Sequence, residues 1–463
     1  MSINNVFLLF LIIINLENYF IKSEIVFVFE QFRNGLYKFI PLGHTKESQT
    51  INLNRVDKQV TSASIRSLYI LGLYIKERYK NIINQKITAK NLYIYSKELD
   101  IHVLTAQSQL LGMFPLEEGI ILNKIEIDLA FPQTSISLEA QNEINILGNL
   151  SVPKSIKPFA LRYFSDDEQQ NLLSINNECP RLNKIKEKNI ENKEFQKIMK
   201  EFLNKHGNEL ANMFNLYNKT LINDYNYLAI VMDHYLSYYK NKYYLEKEEN
   251  FNRNKLSKEK LDQLFKDCIE FKNKSYLLVE ATKDISIISM SETLNKIIRY
   301  MEERIAYDQN YDESSPELNE DNTPKFIMYS NNGGCVYYLQ VFLREAFNVK
   351  LKYPFFSSNQ FIELHRKDGI EYKNLKEEDY HIEYYYNGEL LLNINFIDFK
   401  NKINEYTWSF NKINNFCKHK DANILDHMFY FSLSGSIFII LISIIRTKKA
   451  EERLKNLTED FKY

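Results

Sequence analysis

At 463 residues with a formal net charge of −1, the chain is long enough for two or three structural units and carries no excess charge that would draw it to nucleic acid. Asn, Lys, Ile, Tyr and Phe are abundant while Gly and Pro are scarce, which reads as compositional bias more than as function.

Val6 to Leu16 forms an apolar stretch near the N-terminus, and small Ser23 makes a plausible cleavage boundary, so residues 1–23 read as a signal peptide. No basic residue precedes the stretch, which leaves an uncleaved anchor as the alternative. Ile25 to Phe29, β-branched and aromatic throughout, then predicts a buried central strand. It empties into Arg33-Asn34-Gly35, a turn at the strand end where open α/β sheets keep their ligand sites. Glu30 and Arg33 read either as a structural ion pair or as leaving Arg33 to hold a small anion.

After a polar loop, Thr61 to Tyr79 predicts an amphipathic helix capped by Thr61 or Ser62, with Ile65, Leu68, Tyr69, Ile75 and Tyr79 on its inner face. Leu92 to Tyr95 reads as a second strand, followed by a helix through Gln107, Leu110 and Met113 to Pro115. From 116 to 324 the chain turns to long Lys-, Glu- and Asn-rich helices near Glu194–His206, Thr220–Tyr244, Ser257–Phe271 and Ser286–Ala306. Tyr225, Tyr227, Tyr235, Tyr238 and Tyr239 belong to their packing rather than to binding. An acidic linker, Gln309 to Thr323, returns the chain to a core strand at Lys325–Ser330 and a helix at Val336–Phe347. A strand at Phe361–His365 follows, and then a hairpin turning on Asn387-Gly388, a type I′ signal.

Met428 to Ile445 is long enough and apolar enough to span a bilayer once, and Arg446, Lys448 and Lys449 would hold the tail, 446–463, in the cytosol. A buried C-terminal helix is the alternative. In a luminal or extracellular ectodomain the four cysteines, Cys179, Cys268, Cys335 and Cys417, would form two disulfides in one of three pairings. Asn149, Asn218 and Asn273 head glycosylation sequons, while Asn456 lies beyond the span. No metal-ligand, Ser/His/Asp or phosphate-loop spacing is present, and no cofactor is expected.

These landmarks resemble the histidine acid phosphatases of the lysosomal and prostatic membrane-anchored type. The family carries Arg-His-Gly-x-Arg after its first strand, which falls here on Arg33, Asn34, Gly35, Leu36 and Tyr37. The helix from Arg66 through Gly72 to Arg78 and Tyr79, the run from Gln107 to Pro115, and Lys157-Pro-Phe through Cys179-Pro-Arg181 are similar to family segments. So are Tyr353-Pro-Phe-Phe and the C-terminal strands. The resemblance implies an α/β fold, a central, mostly parallel sheet flanked by helices, with an inserted helical cap and one C-terminal transmembrane helix. The core would comprise 24–115 and 325–420, and the cap 116–324.

In the family an imidazole attacks phosphorus, arginines neutralise its equatorial oxygens, and an aspartic acid protonates the leaving alkoxide. Aligned residue by residue, the nucleophile is Asn34, the second arginine Tyr37, the third arginine Ile101, the second histidine Asn332 and the acid Gly333, leaving Arg33 alone intact. The resemblance therefore implies a pseudophosphatase with a binding or structural role in a secretory, lysosomal or surface membrane. The alternative is an atypical acid phosphatase rebuilt around His102, beside the lost arginine, or His44. Ligand, partner and homodimerisation stay open.

Overall fold

The computed structural model describes residues 23–40, 57–83, 87–88, 90–115, 121–130, 145–152, 154, 159–163, 179–214, 222–240, 256–312, 314 and 321–418. The first strand, β1 (Ser23–Arg33), begins at the expected cleavage boundary and is followed by a small hairpin, β2 (Tyr37–Ile40) with β3 (Asp57–Val60), where a polar loop was expected. Helix α1 (Ser62–Arg78) is capped by Thr61, whose hydroxyl accepts from the Ser64 N–H, and is followed by β4 (Leu92–Ser96) and α2 (Asp100–Met113). Short α3 (Lys124–Leu129) and β5 (Arg162–Tyr163) lead to the helices α4 (Pro180–Ile190), α5 (Lys193–Met213), α6 (Tyr225–Lys240) and α7 (Lys258–Ser275). A π-helical turn, Tyr276–Glu280, joins α7 to the long α8 (Lys283–Gln309). The described residues end with β6 (Phe326–Asn331), α9 (Gly333–Phe347), β7 (Asn359–Lys367), β8 (Tyr380–Tyr386), β9 (Glu389–Asn395), α10 (Phe396–Tyr406) and α11 (Phe410–Lys418).

Seven strands form one sheet in the order β5-β4-β6-β1-β7-β8-β9. The expectation of a mostly parallel sheet needs correction, because β5, β4, β6 and β1 pair in parallel whereas β7, β8 and β9 run antiparallel. For β8 and β9 the physical reason is a direct hairpin, whose Asn387 and Gly388 adopt φ of 47° and 81°, while β7 is antiparallel through its own pairing with β1 and β8.

Strand alternation sends the two faces of β1 into different cores. Phe27 and Phe29 join Ile327, Tyr329, Ile362 and the buried faces of α8, α9 and α10. Val28 and Phe32 join Ile75, Tyr79, Ile94, Leu110 and Met113 under α1 and α2. A third cluster, built on α5, α6 and α7, makes a helical lobe that includes Tyr225, Tyr227, Tyr235 and Tyr238, with Tyr239 packed against it. Helix α8, expected among the cap helices, instead lays Ile288, Leu294, Ile298 and Met301 on the sheet.

The buried line of α1 runs through Ser64, Leu68, Gly72 and Ile75, so Ile65 and Tyr69 face outward rather than inward as predicted. Gly72 sets that line: an added Cβ would stand 2.1 Å from the Gln109 carbonyl oxygen, and one on Gly112 2.0 Å from that of Tyr69. Backbone touches backbone at this crossing.

The expectation of two disulfides also needs correction. Cys179 and Cys417 are joined, while Cys268 and Cys335 remain buried thiols in two different cores, the lobe and the sheet. Sequon Asn149 is exposed, whereas Asn273 lies half-buried in α7 and accepts a 2.7 Å hydrogen bond from the Tyr337 hydroxyl. Asn218, His44, the signal segment up to residue 22, the apolar stretch 428–445 and the tail lie outside the described residues. Among the described residues no helix is long and apolar enough to cross a membrane.

Candidate active site at the strand ends

Parallel neighbours β4, β6 and β1 present their C-terminal ends side by side, which brings the scattered landmark residues together. Arg33 ends β1, Ile101 and His102 open α2 after β4, and Asn332 and Gly333 open α9 after β6. The turn itself is held by its backbone. Arg33 N–H donates to the Ser358 carbonyl (2.8 Å), Asn34 N–H to that of Asn331 (2.9 Å), and Gly35 N–H to the Thr105 hydroxyl (3.1 Å).

Arg33 is buried and fully engaged by the protein on its outer nitrogens. One donates to the Pro354 carbonyl at 2.6 Å and the other reaches Asp233 at 3.4 Å, while the guanidinium carbon lies 4.0 Å from the Phe356 ring centre. Its face rests on Gly333, where an added Cβ would meet the guanidinium carbon and Nε at 3.0 Å. The position that holds the acid in the resembled family is thus floored by arginine here. Nε–H finds no acceptor among the described residues, and nor does the buried Tyr353 hydroxyl.

The other landmarks are committed locally. Asn34 is buried and its amide donates to the neighbouring Gly35 carbonyl at 3.0 Å. Tyr37 turns its ring edge-on to Phe356 within the helical lobe, and its backbone exchanges hydrogen bonds with the Ser237 hydroxyl; burial pushes its phenol well up. Ile101 is buried, and its carbonyl accepts from Thr105. His102 is 2 % exposed on the inner face of α2, and its carbonyl accepts from Ser330. Asn332 is exposed and caps α9, accepting from the Cys335 N–H at 2.9 Å.

The expected Glu30–Arg33 pair does not form. Residues three apart on a strand point to opposite faces, so Glu30 lies under α2, where Gln109 Nε2 donates to its carboxyl at 2.7 and 2.8 Å. Complete burial there pushes the Glu30 carboxyl up to about 8, only partly offset by Gln109.

Two residues that the sequence did not single out complete the site. Asp233 on α6 and Lys272 on α7 form a 2.6 Å ion pair, and Lys272 is as buried as Arg33. Burial is the largest single influence and opposes both cations, yet Asp233 together with the neighbouring Tyr276 and Tyr353 outweighs it and holds each more firmly protonated than usual. Their only sequence signal is a charge on the otherwise apolar stripe of each helix. Chemically the cluster joins lobe to sheet through charge. At the two positions that the resemblance assigns to nucleophile and acid stand a carboxamide, Asn34, and a glycine, Gly333.

The profile of the histidine phosphatase superfamily (branch 2) matches residues 40–387, three quarters of the chain. Human prostatic acid phosphatase is 24% identical over 189 residues, 41% of this chain and 42% of that protein. The bovine prostatic acid phosphatase is 23% identical over 334 residues, 72% of this chain and 69% of that protein. The chain thus spans less than half of the human relative's length in alignment and about two thirds of the bovine one. Among solved structures, the phytase of Klebsiella sp. ASR1 superposes with a TM-score of 0.52 at 10% identity, covering 84% of this chain and 97% of that one, a likeness of fold alone. With its mixed sheet, flanking helices and strand-end site, this chain belongs to branch 2 of the histidine phosphatase superfamily.

Proposed function

We propose that this protein is a pseudophosphatase, a phosphatase-fold scaffold whose former catalytic arginine now works as an internal clasp. The observation that carries this reading is Arg33 itself, laid on Gly333 and bound to Pro354 and Asp233. A carboxamide at Asn34 is a very poor nucleophile, and Gly333 has no proton to give a leaving alkoxide. The rebuilt-site alternative rests on His102, which is buried and would need the fold to open before meeting an ester.

The test is hydrolysis of an aryl phosphate near pH 5 by the native chain, Arg33→Ala and Asn34→His. The expected result is that none exceeds the buffer rate, the reversion included, because Ile101 and Gly333 remain. Native hydrolysis that Arg33→Ala removes overturns the reading.

The same proposal places the protein in a membrane through residues 428–445, on the strength of that stretch's apolar length and basic flank. Alkaline carbonate extraction of expressing cells should leave the chain in the membrane pellet. Release into the supernatant would rule the anchor out.

A further inference from the structure

Away from the strand ends and the clasp, the antiparallel half of the sheet carries a cluster of titratable side chains. His365 on β7 and His381 on β8 stand directly opposite each other in register, their rings stacked with centres 4.8 Å apart. Glu383 follows two residues along β8 and therefore projects from the same face. Its two carboxylate oxygens lie 3.4 Å from His365 Nε2 and 3.7 Å from His381 Nε2. One ligand atom from each of the three falls within 4.8 Å of the other two. We propose that His365, His381 and Glu383 bind one divalent transition-metal cation, zinc foremost, which fastens β7 to β8.

Zinc bonds of about 2.0–2.2 Å to imidazole nitrogen and carboxylate oxygen make tetrahedral edges of roughly 3.3–3.6 Å. The two histidine-to-carboxylate separations, one to each Glu383 oxygen, fall on or beside that range, and the three ligand atoms all lie within 4.8 Å of one another. The surrounding shell suits ligation as well. His365 Nδ1 lies 3.2 Å from the Ser23 hydroxyl, a partner that would fix the ring with Nε2 toward the ion. Glu383 is oriented by the Tyr385 hydroxyl (2.6 Å) and by the Asn393 amide (2.9 Å). Glu363 stands behind: Oε1 accepts from Arg78 and the Tyr79 hydroxyl, while Oε2 lies 2.9 Å from His365 Nε2. His365 is buried and His381 is about a quarter exposed, so the site has a dry floor and an entrance.

A purely structural account covers His365, which can bond to Glu363 and Ser23 without any ion. It leaves His381 less firmly held, with Nε2 3.7 Å from Glu383 Oε1 and about a quarter of the side chain exposed. A cation between them satisfies both. The sequence could not show this, because His365 sits on β7 while His381 and Glu383 sit on β8, and they meet only through the β7–β8 register.

The experiment strips the full chain with a chelator, then titrates it calorimetrically with zinc and spectroscopically with cobalt(II). One saturable equivalent is expected, with visible cobalt bands of tetrahedral intensity. His381→Ala and Glu383→Gln, both at partly exposed positions, should each weaken zinc binding by at least about tenfold. His206→Ala, which alters a histidine paired with Asp267 in the helical lobe, should leave it unchanged. Absence of saturable zinc binding, or equal affinity in the native chain and both ligand variants, overturns the proposal. If His381→Ala fails to fold, Glu383→Gln and the native cobalt spectrum decide it.

Discussion

Arg33 and Lys272 share a single carboxylate oxygen, Asp233 Oδ1, and so two buried cations depend on one partly exposed anion. Removing that anion leaves both charges uncompensated, a far larger loss than removing a surface ion pair. Asp233→Ala should therefore destabilise the fold by about 2–3 kcal/mol, somewhat below the range for a fully dry pair, as measured by urea unfolding. Combining it with Arg33→Met and Lys272→Met should recover most of that loss, because no charge then remains buried. Glu30 makes the opposite kind of site, a carboxyl that stays in place by being neutral. Its folded value of about 8 stands above the ordinary 4.5, so the native state binds the proton more tightly than the unfolded chain. Stability from this group is complete below pH 4.5 and is lost as pH rises toward 8, at up to about 1.4 kcal/mol per pH unit. Glu30→Gln keeps the shape and the bond to Gln109, so it should flatten the stability profile between those limits. A profile as steep as the native one would refute the assignment. At this scale the resemblance pointed to particular positions, Asn34, Tyr37, Ile101, Asn332 and Gly333, because each is a single letter. It could not show what Arg33 would meet, since Asp233 lies 200 residues away in the chain and Lys272 farther still.

Among the elements, the α1–α2 crossing has the least tolerance. Gly72 and Gly112 let two backbones touch, and any side chain at either position must push the helices apart against the core beneath them. Gly72→Ala should cost about 2–3 kcal/mol in urea unfolding, although alanine is the better helix former. Exposed Tyr74 on the same helix, changed to Ala, should cost far less, and equal losses would remove the packing explanation. Helix existence was readable from period and capping, as the Thr61 cap and the α1 limits show. The inner face was not, because glycine contributes nothing to a hydrophobic pattern, and so Ile65 and Tyr69 were placed one step round from the true line. The β8–β9 hairpin was readable from Asn387-Gly388, whose chemistry admits almost no other turn. The direction of β7 against β1 had no such local sign, being decided by pairing across more than three hundred residues.

At the scale of the molecule, three cores meet around β1 and its continuation: the sheet face under α8 and α9, the face under α1 and α2, and the lobe entered at Tyr37. The even cysteine count suggested two cross-links, yet only one pair lies close enough to join, because the other two thiols belong to different cores. That single bond has a mechanical consequence. Cys417 lies in the last described helix, and Cys179 caps the start of α4, 238 residues earlier in the chain. A pull arriving from residues beyond Cys417 would pass covalently into the head of α4 instead of peeling α11 and α10 from the sheet one after the other. The load then divides between α4 and the long span from Cys179 to Cys417, which the sheet's own hydrogen bonds hold together, so the strands are loaded in parallel with a covalent path. A tether from the proposed membrane span would tug on the boundary between lobe and sheet, where Arg33 and Asp233 hold the two together, and leave the C-terminal helices slack.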